Sequence, residues 1–353
     1  MKKMMTTLTA IGLASLVGYA GQNNLEGLIR KNQDRQTENS ATQIGQSFQH
    51  DSPKNLADAF LTMESYNGAT ESDHKILNDI ISTAEGKIER KANYTHEEAE
   101  KLLSVIDTTI REKGFSYKEQ RFLNKGLKER EIDCDLFSDI YFGIADDLNL
   151  PVRAVMIEGK EDSGGGHVFV RWRLDSQNYF NWEATSGQVC SDEVYDKRIS
   201  ENSTKYGSMK ELSIPQYAKL QTDEQIFPGS FLKDSNARAG IAHPDNKECR
   251  EHENLIYRVL YDYLSNRLRS NPDSRELHEL EAETAMRLER YDQAIANYDF
   301  LLKESPQSSS LYHERGKAYE LISHTAPTFK EELNFMERAK KDIDKAVSLE
   351  RKE

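Results

Sequence analysis

The chain has 353 residues, which is enough for two or three domains, and 37% of them are hydrophobic while 30% are charged. Its net charge of −13 at pH 7 disfavours nucleic acids and anionic membrane surfaces as partners, because both bind clustered Lys and Arg side chains. No internal run of the sequence reaches the roughly 18 apolar residues that a membrane-spanning helix needs.

The N-terminus has the three parts of a secretory signal peptide. Lys2 and Lys3 precede a mainly apolar stretch at 4–17, and small residues at 18 and 20 suit a signal peptidase. We therefore expect residues 1–20 to be removed and the protein to be exported to the periplasm or outside the cell, with no stable membrane insertion after cleavage. The alternative is an uncleaved amphipathic helix on a cytoplasmic protein.

Residues 21–52 are rich in Asn, Gln, Ser and Thr and predict a polar linker. Residues 53–250 then predict an α+β domain with a helical N-terminal part. Thr95 and Glu98 have the spacing of a capping box, and Gly114 suits the left-handed position that closes the same helix. A further helix is predicted from residue 117 to 129.

The middle of this domain combines one helix with a small sheet. Apolar periodicity predicts a helix over 134–149, and β-branched and aromatic residues predict strands at 152–157, 168–172 and 179–184. The short turn between the last two strands indicates an antiparallel hairpin. Residues 190–247 contain scattered Pro and Gly and predict loops and short helices.

The C-terminal part, residues 251–353, is predicted to be helical and contains a repeat of about 34 residues. Small residues recur at Ala282 and Gly316, where paired helices approach closely, and an insertion containing Pro327 interrupts the second unit. The pattern resembles about two tetratricopeptide-like units, although the first unit lacks the usual aromatic residue and glycine in its first helix. The resemblance implies contact with a protein or peptide; the alternative is a purely structural appendage.

Three residues can form a nucleophilic triad: Cys134 at the start of the predicted helix, His167 at the start of a strand and Glu183 on the following strand. A helix N-terminus and an adjacent imidazolium both lower a cysteine pKa. Asp133, which is a candidate N-cap, and Asp135 act in the opposite direction. The sequence leaves open which influence is larger.

His167 follows three glycines at 164–166, and Glu183 lies across the predicted hairpin, where it can accept the imidazole N–H. A phosphate-binding loop is the rival interpretation of the glycines, but such a loop leads into a helix, whereas these lead into a strand. Each of the three triad residues alone is more typical of a structural role. Their combination in compatible elements favours catalysis.

The other cysteines, Cys190 and Cys249, either pair in an oxidising compartment or stay free in the core. Cys249, His252 and the nearby His243 lack a fourth ligand at a recognised spacing, so we expect no metal site there. The chemistry of the triad also requires no cofactor.

The stretch from about residue 123 to 185 resembles the transglutaminase-like superfamily of papain-type folds. The segments that carry the resemblance are 134–138, 148–155, 166–170 and 181–185. The family implies a cysteine-bearing helix packed on a small antiparallel sheet, with Cys134, His167 and Glu183 as the catalytic residues. Glu183 departs from the more frequent aspartate and has one more methylene of reach.

The resemblance implies acyl transfer on an amide bond of a protein or peptide. Cys134 attacks the carbonyl, and His167 protonates the leaving amine. Water then gives a peptidase or amidase, which we favour, and an amine gives a crosslinking enzyme. The oxyanion hole would combine the Cys134 backbone N–H with the side chain of Gln120 or Asn124, between which the sequence does not choose.

Two further hypotheses belong to other functional classes. In one, the chain is a non-catalytic binding module on a transglutaminase-like scaffold. In the other, it is an assembly scaffold that acts through its C-terminal repeats alone.

Overall fold

The computed structural model describes residues 52–120, 122–159, 166–226 and 247–351, and the observations below concern these residues. The predicted signal peptide at 1–20 lies outside them, and so does the predicted linker at 21–52 apart from Ser52. Two of the three glycines before His167 and the histidine at 243 also lie outside the described residues.

From residue 52 onward, the first helices that the structure describes are α1 (Leu56–Met63), α2 (Glu71–Lys87) and α3 (His96–Glu112). The predicted capping box is present, because the Glu98 N–H donates to Thr95 Oγ1 at 3.3 Å and Glu98 Oε2 accepts from the Thr95 N–H at 2.9 Å. Gly114 has a φ of +87°, so the predicted left-handed end of this helix is confirmed as well.

The next elements are β1 (Ser116–Tyr117), α4 (Leu123–Glu129) and β2 (Glu131–Ile132). The predicted helix over 117–129 is therefore wrong in its first half, because Tyr117 lies in β1 and pairs in parallel with Ile132 of β2. The start of α4 is determined by a distant side chain. The buried carboxylate of Glu64 accepts the N–H groups of Leu123 and Asn124 at 2.8 and 2.7 Å.

The centre of the domain is helix α5 (Cys134–Leu148) and a five-stranded sheet. The strands are β3 (Val152–Gly159), β4 (His167–Arg173), β5 (Tyr179–Glu183), β6 (Gln188–Cys190) and β7 (Tyr206–Leu212), in the order β6-β5-β4-β3-β7, and every pairing is antiparallel. Helices α6 (Asp192–Glu201) and α7 (Ile214–Ile226) complete it. The predicted combination of helices with an antiparallel sheet is confirmed. Strand β7 lies in the region 190–247 for which we predicted loops and short helices, and β6 overlaps that region only at Cys190.

The two faces of the sheet are covered differently. Alternation along β4 directs Val168, Val170 and Trp172 into the main hydrophobic core with α5. The intervening Phe169 points to the opposite face, where it stacks on Tyr195 of α6 in a smaller cluster. The sheet therefore separates an apolar layer under α5 from a second layer under α6.

Residues 247–351 form five helices: α8 (Lys247–Ser270), α9 (Arg275–Arg287), α10 (Tyr291–Glu304), α11 (Ser309–Ser323) and α12 (Phe329–Glu350). Each packs on the next, so α9 with α10 and α11 with α12 form the two predicted helical pairs. A Cβ added to Gly316 would lie 3.1 Å from the Ile343 side chain, so a larger residue at this position would crowd α12. Helix α8 contributes side chains to the main core. An ion pair of 3.0 Å between Arg267 of α8 and Asp146 of α5 also joins the two helices.

Within the described ranges, no helix has the length and apolar character needed to cross a membrane.

Candidate active site

Cys134 is the first residue of α5, as predicted, and Asp133 is the N-cap. The Asp133 carboxylate accepts the Leu136 N–H at 3.1 Å. The half-buried Cys134 thiol accepts a hydrogen bond from the backbone N–H of Val168, the second residue of β4. The N-terminus of α5 therefore lies directly against the beginning of the strand that carries His167.

The surroundings of the Cys134 thiol oppose ionisation. Burial raises its pKa, the negative charges of Asp135 and Asp133 raise it further, and the thiol donates a hydrogen bond to Asp135 Oδ1 at 3.2 Å. These effects outweigh the N-terminus of α5, so the resting residue is a neutral thiol. Of the opposing influences that the sequence left open, burial and the two aspartates are therefore the larger.

Asp133 is itself perturbed. Burial and the neighbouring Asp135 charge raise its pKa to about 6, although the N–H groups that it accepts act in the opposite direction. The N-terminus of α5 thus has more negative charge nearby than its unpaired N–H groups can offset.

His167 and Glu183 are in direct contact. Strands β4 and β5 pair with Val170 opposite Trp182, which places His167, Phe169 and Glu183 on the same face of the sheet. His167 Nε2 and Glu183 Oε2 are 2.7 Å apart. The contact predicted from the hairpin is present, and it fixes the orientation of the imidazole ring.

Three neighbouring groups stabilise the charge of Glu183. Its Oε1 accepts from Thr185 Oγ1 at 2.7 Å, and its Oε2 accepts from the Tyr195 hydroxyl at 2.9 Å in addition to His167. Burial acts to raise the pKa of Glu183, but the hydrogen bonds from His167, Thr185 and Tyr195 outweigh it and lower the pKa below its ordinary value. Glu183 is therefore ionised at neutral pH. Sequence reasoning did not single out Tyr195 or Thr185.

The position of His167 depends on the residue before it. A Cβ added to Gly166 would lie 2.4 Å from the Ile157 carbonyl oxygen on β3. Glycine is thus required for the close approach of β3 and β4 at this end of the sheet.

The Cys134 thiol bonds to β4 through Val168, the chain neighbour of His167, and not through His167 itself. No hydrogen bond joins Cys134 and His167 among the residues that the structure describes. Because Glu183 occupies Nε2, the nitrogen that can take the thiol proton is Nδ1. Catalytic hydrogen bonds are often long before substrate binds, so this geometry is compatible with a general base.

The two oxyanion-hole candidates differ in position. The backbone N–H of Gln120 donates to the Asp133 carboxylate, which brings residue 120 beside the site, while the Gln120 side chain donates to Glu129 at 3.1 Å. Asn124 is buried in α4, where its backbone N–H bonds to Glu64. Gln120 therefore lies next to the N-terminus of α5, whereas Asn124 is buried and its backbone N–H bonds to Glu64.

Of the other cysteines and histidines that the sequence analysis considered, the structure describes the side chains of Cys190 and His252. Cys190 is a free, partly buried thiol on β6. His252 lies in α8, whereas the side chain of Cys249 and the whole of His243 fall outside what the structure describes. In the described residues, no three His, Cys, Asp or Glu side chains are grouped so that they could hold a metal ion.

In comparisons with known proteins, no family model and no curated protein matched the chain. Its function is therefore inferred from the geometry of its own residues.

Proposed function

We propose that this protein is a cysteine-dependent acyl-transfer enzyme that acts on amide bonds of proteins or peptides. The observation that carries the proposal is the 2.7 Å His167–Glu183 pair at the start of β4, directly beside the helix N-terminus that bears Cys134. A nucleophile, a base and a carboxylate that orients the base are the three parts that such chemistry needs.

The neutral thiol determines how the reaction begins. His167 Nδ1 takes the thiol proton as the Cys134 sulfur bonds to the substrate carbonyl carbon, and ionised Glu183 stabilises the imidazolium that forms. The imidazolium then gives its proton to the leaving amine, and the C–N bond breaks to leave an acyl-enzyme. The donor that we propose for the developing oxyanion is the backbone N–H of Cys134.

The acyl acceptor that we propose is water, which the partial exposure of Cys134 admits. His167 removes a proton from the water molecule as its oxygen attacks the acyl carbon. The C–S bond breaks, the sulfur regains a proton, and a carboxylic acid is released. An amine acceptor would give a crosslink by the same steps.

A specific observation favours a second candidate, a non-catalytic protein-binding module. The thiol donates to Asp135 instead of bonding to His167, and burial together with Asp135 and Asp133 raises its pKa. Both features reduce nucleophilicity.

Acylation by a small activated ester separates these two candidates. On incubation with p-nitrophenyl acetate, mass spectrometry should show acetyl transfer to Cys134, slowed about a hundredfold or more in His167→Gln, because a general base contributes at least that factor. Cys190→Ser is the matched control and should leave the rate unchanged. Acetylation of Cys134 that is no faster than that of Cys190, or that is insensitive to His167→Gln, selects the binding module.

We further propose that the C-terminal helical pairs contact a protein partner or hold a protein substrate, which the packing of α9 on α10 and of α11 on α12 supports. The alternative, a scaffold that acts through these helices alone, predicts binding without acylation. Partner binding that persists after deletion of residues 273–353 contradicts both statements.

We also propose that the protein is exported. N-terminal sequencing of the mature protein should then show that residues 1–20 are removed.

A further inference from the structure

Two donors meet at one oxygen atom of Glu183. His167 Nε2 lies 2.7 Å from Glu183 Oε2, and the Tyr195 hydroxyl donates to the same atom at 2.9 Å. Tyr195 is 2% exposed, and its ring stacks on Phe169 with centroids 4.0 Å apart and planes 3° apart. The hydroxyl therefore has a defined position in the second layer of the sheet.

The sheet itself holds the helix that carries Tyr195. Asp192, the first residue of α6, accepts from the buried Arg171 guanidinium and from the Asn181 side chain, both at 2.6 Å. The Tyr179 hydroxyl donates to the other Asp192 oxygen at 2.5 Å. Since these partners lie on β4 and β5, the strands that position His167 and Glu183 also position Tyr195.

The Tyr195 hydroxyl remains a donor at any ordinary pH. Burial raises its pKa, and the nearby Glu183 charge raises it further. On the other side of the carboxylate, Thr185 bonds to Oε1. Glu183 is thus held from both sides, with Oε2 facing His167.

We propose that Tyr195 is a positioning residue that orients Glu183 and shares the acceptor Glu183 Oε2 with His167. This inference rests on the proposed function to the extent that His167 is the base. A carboxylate oxygen shared between two donors stabilises an imidazolium less than one that serves the imidazole alone.

A buried tyrosine bonds to some partner in any case, so the test needs a property that packing alone does not change. That property is the titration of His167, which NMR measures on the full chain without substrate. The charged or titratable groups near His167 are Glu183, Tyr195, Asp135 and the adjacent Cys134, while Cys190 adjoins Tyr195. All of these except the hydroxyl are kept in Tyr195→Phe.

In Tyr195→Phe, the midpoint of the His167 titration should rise by about half a pH unit or more, the equivalent of one ordinary hydrogen bond. The matched control is Tyr206→Phe. Tyr206 belongs to the same buried cluster, but its hydroxyl accepts from Arg198 at 3.1 Å. This variant should titrate as the wild type does.

A second variant keeps the hydroxyl and should shift the midpoint of the His167 titration in the opposite direction. With 3-fluorotyrosine at position 195, the more acidic hydroxyl bonds more strongly to Glu183, and the His167 midpoint should fall. A midpoint that stays at the wild-type value in either folded variant, or that moves in the opposite direction, overturns the proposal. Because this readout needs no reaction, a shifted midpoint without acylation of Cys134 would refute the proposed enzyme and keep the positioning role.

Discussion

The pKa values of acidic groups are shifted in opposite directions on the two sides of the five-stranded sheet. On the α6 side, the carboxylates of Glu183, Asp192 and Glu211 bond to His167, Arg171 or Arg173. For each, burial acts to raise the pKa, but the hydrogen bonds and positive charges outweigh it and leave the pKa below its ordinary value.

On the α5 side, carboxylates have other carboxylates as neighbours. Burial is the first cause of the raised pKa values of Asp133 and Asp139, and the charge of Asp135 adds to both. Burial, together with the charges of Asp135 and Asp133, likewise raises the pKa of the Cys134 thiol and keeps it neutral. Hence a protonated thiol lies on one side of the sheet, and an ionised carboxylate paired with an imidazole lies on the other side, both near the start of β4.

The largest expected effect concerns the cation that makes the α6 side different. Arg171→Met removes a buried guanidinium that bonds to Asp192 and Glu211, and breaking such a buried pair should cost about 3 kcal/mol of unfolding free energy. Arg173→Met is the matched control, because this partly exposed side chain also pairs with Glu211 and its loss should cost about 1 kcal/mol or less. Urea denaturation measures both, and equal losses would contradict a special role for the buried cation.

A smaller effect tests the α5 side through pH. The folded pKa of Asp133 is about 6 and its ordinary value is 3.8, so the folded chain binds more protons between these values and loses stability as pH rises through them. The loss is at most about 3 kcal/mol and is complete above pH 6. Asp133→Asn keeps an N-cap oxygen but has no charge. This variant should be the more stable protein at pH 7, and the advantage should disappear below about pH 4. A stability difference that does not change with pH would show that the Asp133 charge is not the cause.

The smallest expected effect concerns the thiol. Asp135→Asn removes a negative charge and a carboxylate acceptor from beside Cys134, so the thiol pKa should fall. A fall of one unit increases the thiolate fraction, and hence the rate of iodoacetamide labelling at pH 7.5, about tenfold. Labelling of Cys190 in the same sample is the internal control. If both cysteines react at wild-type rates, the Asp135 contact does not control the nucleophile.

Local sequence predicted the elements whose causes are local. The cap residues around α3, the N-cap at Asp133 and the β4–β5 hairpin all follow from neighbouring residues, and each is present. The helix predicted over 117–129 failed because a distant carboxylate, that of Glu64, determines where α4 begins.

The missed strands have a similar explanation. Strand β6 has three residues, and β7 alternates polar side chains along an edge of the sheet, so neither carries a strong hydrophobic pattern. Both exist because β5 and β3 supply their hydrogen bonds. The Tyr195–Glu183 contact arises in the same way, from a helix that is folded back over the sheet.

The sequence by itself determined which groups are present at the candidate site and on which elements they lie. A cysteine after an N-capping aspartate begins a helix, and a hairpin with alternating residues brings a histidine and a glutamate to one face; both results depend on contacts within a few residues or one turn. Only the tertiary structure decided the protonation of Cys134 and the third donor to Glu183. Burial and through-space charge set a pKa, and these depend on how α5 and α6 pack on opposite sides of the sheet.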